Sequence, residues 1–359
     1  MTRSIRTILT DICIVVTMSL AIGLGIEAGA RLLRVGPPVT VSAPEDELEE
    51  YVQYVEFREG EYASPQLNID SERRRRVPGS CERDEAFTVM TFGGSTMFGA
   101  GVADQHTIPA YLAAGFNREG RCVTVVNYGA GWWQSSQSVI QLLEVLKHGG
   151  RPDVVVFYEG INDVNAVAFG GVPGGIAPDV AEAFRRVFDS EPDARRIWVQ
   201  FALQSVVVRT LSNRWFASKH KDLSNDYAVP KADIPKAVTS LIDIYATNVR
   251  TVNALAKEYG FTAHFFLQPV LMVPGKPRTA AEEAWVRGRG NARSSDITLF
   301  NRAYQTFRAH PYLRSLPNYH DISGVFDDVA EELYLDSEHL RPEGNRLVAE
   351  RIARELRVP

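Results

Sequence analysis

The stretch Phe87 to Gly101, FTVMTFGGSTMFGAG, decides the fold. Phe87 to Phe92 is a short apolar run rich in β-favouring residues. Periodicity alone does not separate a buried strand from a buried helix here. The run's length and the glycines after it select a strand covered on both faces. Gly93 and Gly94 permit a tight turn with unusual backbone angles. Ser95 sits on that turn, at the carboxyl end of the strand, where open α/β sheets place their ligands. A helix is expected from about Ile108. Other glycine-loop chemistries fail on the letters. Gly94 and Gly99 have the spacing of a phosphate loop, but Ala100 and Gly101 stand where Lys and Ser or Thr are needed. A GxGxxG pattern starting at Gly99 and Gly101 is broken by Val102, Ala103 and Asp104. The GxSxG elbow keeps Gly93 but has Met97 in place of its second glycine.

Working outward, Cys122 to Asn127 (CVTVVN) reads as a second strand that runs into the turn Tyr128-Gly129-Ala130-Gly131, with Trp132 and Trp133 behind it. An amphipathic helix follows from about Ser136 to Leu146. Val154 to Tyr158 is a third strand and ends in Glu159-Gly160-Ile161-Asn162-Asp163. Lys236 to Tyr259 is a long amphipathic helix, Phe261 to Leu267 a fourth strand and Ile297 to Phe307 another helix. Tyr319 to Ile322 reads as a fifth strand, and the last helix runs from about Glu343 to Leu356. Strands alternating with helices indicate an α/β chain with a parallel, doubly wound sheet. Residues about 165–235 read as a helical insertion over the carboxyl edge of the sheet, with helical stretches at Asp179 to Asp189 and Ala194 to Ser212.

The chain has 359 residues, 45% hydrophobic and 23% charged, enough for a sizeable core. A net charge of -5 gives no reason to expect nucleic acid, and three cysteines are too few for a disulfide scaffold. Arg3 and Arg6 precede an apolar run from Ile12 to Ile26 that Ala28 to Ala30 extend past Glu27. Its length is at the lower limit of the roughly 17–25 residues of a spanning helix, and Ala28-Gly29-Ala30 also fits a cleavage site. Residues 1–34 are thus read as a membrane anchor, a single transmembrane helix, or as a signal segment, with the rest of the chain extracytoplasmic. Residues 35–85 read as a polar juxtamembrane approach. Pro37 and Pro38 break it, Glu45 to Phe57 is expected as a surface helix, and Arg73 to Arg76 as a solvated basic turn.

The polar residues at the strand ends form one set. Ser95, the Gly129–Gly131 turn and Asn162 follow the first three strands and converge on one sheet edge. A serine nucleophile needs a base, and the base needs an orienting acceptor. Asp336 and His339, three apart in a late loop, place a carboxylate against one imidazole nitrogen if the loop makes a single turn. The other nitrogen then faces Ser95. The backbone N–H of Ser95, an N–H from the glycine turn and the Asn162 side-chain amide are candidate donors to a developing oxyanion. The remaining histidines and the cysteines show no metal-ligand spacing.

On these residues the chain resembles the SGNH/GDSL hydrolase family. Gly93-Gly94-Ser95 matches its first block, in a GGS rather than GDS form, Gly160-Ile161-Asn162-Asp163 its third, and Asp336-Ser337-Glu338-His339 its fifth. The second block departs, because the family's oxyanion glycine, about five residues after the position of Asn127, is here Trp132. Gly131, or alternatively Gly129, is left as that donor. The resemblance spans about residues 86 to 357, within a hydrolase domain read as residues 86–359. It implies a flavodoxin-like three-layer α/β/α sandwich with a five-stranded parallel sheet of order 2-1-3-4-5, and no cofactor. It also makes the first two strands neighbours, so Cys81 and Cys122 approach the same sheet end, where an exported compartment would permit a disulfide; whether they pair is left open. Cys13, in the apolar run, is expected unpaired. The expected activity is that of a serine esterase working through an acyl-serine on a small-molecule or glycan ester. An O-acyl group on a glycan is the specific expectation, from the exported context and from Trp132 and Trp133, which read equally as a sugar-stacking wall or as core packing. An O-acyltransferase using the same serine, and a catalytically silent binding or assembly protein, are the alternatives.

Overall fold

A computed structural model describes residues 49–168 and 233–358 apart from 84, 119 and 293, together with isolated positions between 17 and 29 and at 173–174. The N-terminal apolar run and the helices expected within 175–232 lie outside the described residues, apart from those isolated positions. Among the described residues no helix is long and apolar enough to cross a membrane.

From Glu49 the described residues form two small antiparallel pairs. β1 (Glu49–Val52) pairs with β2 (Glu56–Glu59), and β3 (Tyr62–Ala63) with β4 (Asn68–Ile69). A hairpin therefore stands where the sequence suggests a helix over 45–57. The glutamate-rich stretch has helical propensity, but Val55 is buried against Ala130 and Trp133, and tertiary packing overrides the local preference.

The main sheet follows. β5 (Phe87–Gly93) leads into the single turn α1 (Ser95–Phe98), and then come α2 (Ile108–Arg118), β6 (Val123–Asn127) and α3 (Ser135–Lys147). Next are β7 (Val154–Glu159), α4 (Ile161–Ala168), α5 (Ile234–Tyr259) and β8 (Thr262–Leu267). The chain closes with α6 (Ala280–Ala292), α7 (Ser294–Ala309), α8 (Pro311–Ser315), β9 (Tyr319–Asp321) and α9 (Pro342–Ala353). The strand order is β6-β5-β7-β8-β9, every pair parallel, which is the order 2-1-3-4-5.

Period-two alternation divides the strand residues between two cores. Val89, Val154, Val156 and Tyr158 face α2 and α9, whereas Met90, Phe92, Val155 and Phe157 face α3, α5 and α7. All six residues of β7 are buried, as a central strand covered on both faces requires. Phe92, Phe157 and Phe265 stack across three adjacent strands at 5.0 and 5.5 Å. Truncating Phe157 to alanine would cost about 3–5 kcal/mol.

Residues 43–181 and 227–359 form one compact unit, and within it the described residues 49–85 pack with the sheet and its turns. The segment 75–81 runs along the outer edge of β6. Arg75 bridges Asn127, Ser80 Oγ both accepts from Val125 N–H and donates to Val125 C=O at 3.1 Å, and Cys81 N–H donates to Val123 C=O. Cys81 and Cys122 are joined by a disulfide with Cα atoms 5.2 Å apart, which settles a pairing that the strand order alone left open. The two cysteines are 41 residues apart, and in the chain-entropy picture closing that loop contributes about 4 kcal/mol.

Candidate active site

The carboxyl ends of β5, β6 and β7 meet at one edge, and the loop before α9 comes to lie beside them. Ser95 is the first residue of α1, directly after the Gly93-Gly94 turn. A Cβ at Gly94 would lie 2.3 Å from Asn162 Nδ2 and 3.1 Å from Trp133 O, so any larger residue there has to displace the Asn162 amide. α1 ends after four residues at Gly99, whose φ of 93° is left-handed.

The loop from Leu333 to Arg341 closes on itself. Leu335 N–H donates to His339 O at 2.8 Å, and Tyr334 bridges Leu340. Within it Asp336 Oδ1 accepts the N–H groups of Glu338 and His339, each at 2.8 Å. Asp336 Oδ2 lies 2.7 Å from His339 Nδ1, and His339 Nε2 lies 2.7 Å from Ser95 Oγ. Burial pushes the Asp336 carboxyl up, but the hydrogen bond and charge of His339, with the two backbone N–H groups, outweigh it and hold the carboxyl below its usual value. An ionised Asp336 thus faces one nitrogen of the imidazole whose other nitrogen meets the serine. From outside the loop, buried Glu282 on α6 accepts the Leu333 N–H at 3.0 Å and Lys276 Nζ at 2.8 Å. The sequence reading did not single out Glu282. No local pattern marks it, because its partner in the loop is 51 positions away.

Asn162, the second residue of α4, is buried and donates Nδ2–H to Trp133 O at 2.9 Å. Asn165 donates to Asn162 Oδ1 at 3.5 Å and to Glu338 Oε2 at 2.8 Å, tying the start of α4 to the acid–base loop. Behind Asn162 lie two buried carboxyls. Glu159 accepts from Ser138 Oγ and Asp163 from Ser135 Oγ. Burial raises the pKa of both, and Asp163 raises that of Glu159 further.

The glycine turn differs from its expected role. Gly131 gives its N–H to Glu59 Oε1 at 2.7 Å, and Gly129 gives its N–H to Asn127 Oδ1 at 2.9 Å. Both N–H groups are directed into the protein rather than toward Ser95. The residue of this turn in the left-handed region is Trp132, with φ 58°. The two tryptophans also part company. Trp133 is 0% exposed and its Nε1 donates to Phe57 O at 2.8 Å, so it is core and not a sugar wall, whereas Trp132 is 52% exposed. Across the site, half-exposed Trp285 and Gly288 of α6 line a cleft of about 400 Å³ with Asp336 and Ser337. Among the described residues no cluster of His, Cys, Asp or Glu is arranged to hold a metal ion.

The basic run is the largest departure from the sequence reading. Arg75 is fully buried, in an ion pair with Asp104, and is not part of a solvated turn.

A sequence model of the GDSL-like lipase/acylhydrolase family matches residues 91–347. Among solved structures, the chain is similar to an acetyl xylan esterase, AlAXEase, with 14% identity, 75% of this chain and 100% of that chain covered, and a TM-score of 0.41. It is also similar to a putative lipolytic protein of the G-D-S-L family from Desulfitobacterium hafniense DCB-2 (14% identity, 75% and 99% covered, TM-score 0.37). A third is an acetylxylan esterase from Geobacillus stearothermophilus (14% identity, 78% and 96% covered, TM-score 0.37). No curated protein matches the chain.

Proposed function

Because the chain belongs to the GDSL-like lipase/acylhydrolase family, we propose that it hydrolyses esters through Ser95, His339 and Asp336. The observation that carries this assignment is the unbroken line Ser95 Oγ to His339 Nε2 to Asp336, with 2.7 Å at each step. His339 takes the Ser95 proton as the oxygen attacks the ester carbonyl, and Asp336 stabilises the imidazolium that forms. His339 then returns the proton to the departing alcohol. Water, deprotonated by the same imidazole, attacks the acyl-serine; the C–O bond to Ser95 breaks, the acid leaves, and His339 gives the proton back to Ser95 Oγ.

The tetrahedral oxyanion is met by Ser95 N–H, at the first position of α1 where no intrahelical acceptor exists, and by Asn162 Nδ2. Trp133 O takes one amide hydrogen of Asn162, and the second serves the oxyanion. The turn's own contribution passes from Gly131 or Gly129 to the N–H of Trp132. That residue stands at the family's glycine position and holds a glycine-like φ.

The substrate we assign is an O-acyl group on a glycan. The support is two exposed indoles beside the site, Trp132 and Trp285, the latter lining the cleft at Asp336. An extracytoplasmic location, with residues 1–34 as anchor or signal, is supported by the Cys81–Cys122 disulfide, a bond of oxidising compartments.

A fluorophosphonate probe tests the chemistry. Wild-type protein should be labelled at Ser95, and Ser95→Ala should lose both label and turnover of p-nitrophenyl acetate. Full activity in a folded Ser95→Ala protein would overturn the assignment. Acetylated oligosaccharides should show higher kcat/KM than p-nitrophenyl acetate, and Trp285→Ala should erase that advantage while sparing the small ester. Equal use of both esters by wild-type protein would remove the glycan.

A further inference from the structure

Arg75 precedes the region matched by the family model, residues 91–347, yet it lies beneath the nucleophile. Its guanidinium is fully buried and engages four groups. Nε donates to Asp104 Oδ1 at 2.9 Å, Nη1 to Gly99 O at 2.6 Å and Phe98 O at 3.2 Å, and Nη2 to Val102 O at 2.6 Å. The guanidinium carbon also lies 5.0 Å from the centre of the Phe98 ring. Asn68 Nδ2 donates to the second oxygen of Asp104 at 2.8 Å and so fixes the counter-ion. From the other side, Asn127 Nδ2 reaches Met97 O at 3.2 Å and Phe98 O at 3.3 Å.

The carbonyls of Met97, Phe98 and Gly99 are the carboxyl end of α1, and that of Val102 lies in the turn just beyond it. One turn of helix is not self-supporting, because it fixes several residues for very few internal bonds and leaves its last carbonyls without partners. Side chains therefore set where this turn points, and Ser95 is its first residue. A planar guanidinium suits the task, since one rigid fork reaches several acceptors at once, which a lysine ammonium does not do. A fully buried cation is tolerated only when paired, which accounts for the buried Asp104.

We infer that Arg75 is a positioning residue for the nucleophile. It holds the pitch of α1 so that Ser95 Oγ meets His339 Nε2 and Ser95 N–H faces the oxyanion, and so places a side chain from outside the family-matched region in the catalytic arrangement. Glu59, also outside that region, does the same for the neighbouring turn through Gly131 N–H.

The inference rests on Ser95 being the nucleophile, so wild-type labelling with a fluorophosphonate is measured first. If wild-type Ser95 does not react, the proposed function itself fails. With that reaction in place, Arg75→Lys should lower kcat on p-nitrophenyl acetate about 10–100-fold, the range expected for a small misplacement of a reacting atom. The rate of Ser95 phosphonylation should fall by the same factor. KM should stay within about threefold, and the acid limb of the kcat/KM profile should not move, because His339 and Asp336 keep their contacts. Val348→Ala, in the core under α9, is the control for lost stability and should retain wild-type kcat below its unfolding temperature. Should Arg75→Lys not fold, Asp104→Asn, which removes the counter-ion and spares the carbonyl contacts, is read by the same rates and should lose a smaller factor of about 3–10. A folded Arg75→Lys, or in its stead Asp104→Asn, with wild-type kcat and phosphonylation rate would overturn the inference.

Discussion

The two halves of the proposed catalytic arrangement are held in opposite ways. Asp336 and His339 are fixed chiefly within their own loop, by hydrogen bonds spanning two to four residues. Ser95 is fixed from a distance. Arg75 reaches the end of its helical turn from 23 and 24 positions away, Asn127 from 29 to 30, and Asn162 lies against the preceding glycine. A base and its acceptor can be carried as one short motif, because a carboxylate meeting an imidazole needs only one turn of chain. A nucleophile on a single helical turn needs the rest of the protein to aim it.

Breaking the line at either half gives the largest effect. Ser95→Ala and His339→Ala should each lower kcat by about 10⁶-fold, and the double variant should be little worse than either single, since the two act as a unit. Near-additive losses would show that the halves work independently. Next, Asp336→Asn should cost about 10⁴-fold, because it favours the wrong imidazole tautomer. Its melting temperature should stay near that of the wild type, as the asparagine oxygen still accepts the two backbone N–H groups. A large thermal loss would show that the loop is not self-contained. On the other half, Gly94→Ala places a methyl 2.3 Å from Asn162 Nδ2 and should push the amide off the oxyanion. A loss of about 10²–10³ in kcat with KM little changed is expected, as for removal of one oxyanion donor.

The smallest effect separates the triad imidazole from the stacked pair His264 and His320, whose rings lie 5.4 Å apart on β8 and β9. Burial lowers the His264 pKa to about 4, with the His320 charge adding to it and Glu355 opposing it. Folded His264 therefore stays neutral while the unfolded chain takes up a proton below about 6.5. Stability present above that pH is lost as pH falls toward 4. Urea midpoints at pH 7.5 and 5 should show this slope, and His264→Phe should flatten it without moving the acid limb of activity. An unchanged slope would assign the acid lability elsewhere.

The same contrast governs what the sequence discloses. Asp336 and His339 are legible because their geometry is contained in four letters. Ser95 and Asn162 are legible because each follows a buried strand that ends in glycine. Arg75 is not, since within Arg73 to Arg76 nothing distinguishes the buried member from its exposed or half-buried neighbours. The donors Gly129 and Gly131 are misread because Asn127 and Glu59 claim their N–H groups, and Glu59 is 72 positions away. Trp132 and Trp133 are the same residue at adjacent positions, and only the turn geometry sends one to solvent and the other into the core. The hairpin over 49–59 is hidden for a similar reason, since Val55 finds its partners beyond residue 129.

The segment from Arg75 to Cys81 has one more consequence. β6 is an outer strand, and its run Val123-Thr124-Val125-Val126 has the composition that favours pairing between molecules. Ser80 and Cys81 occupy the outward backbone groups of Val123 and Val125, and the disulfide stitches the cover in place. A chain trimmed to the sheet alone would leave those groups bare and offer a template to the next copy. The segment that carries the arginine to the nucleophile thus also keeps neighbouring molecules from adding strands to this one.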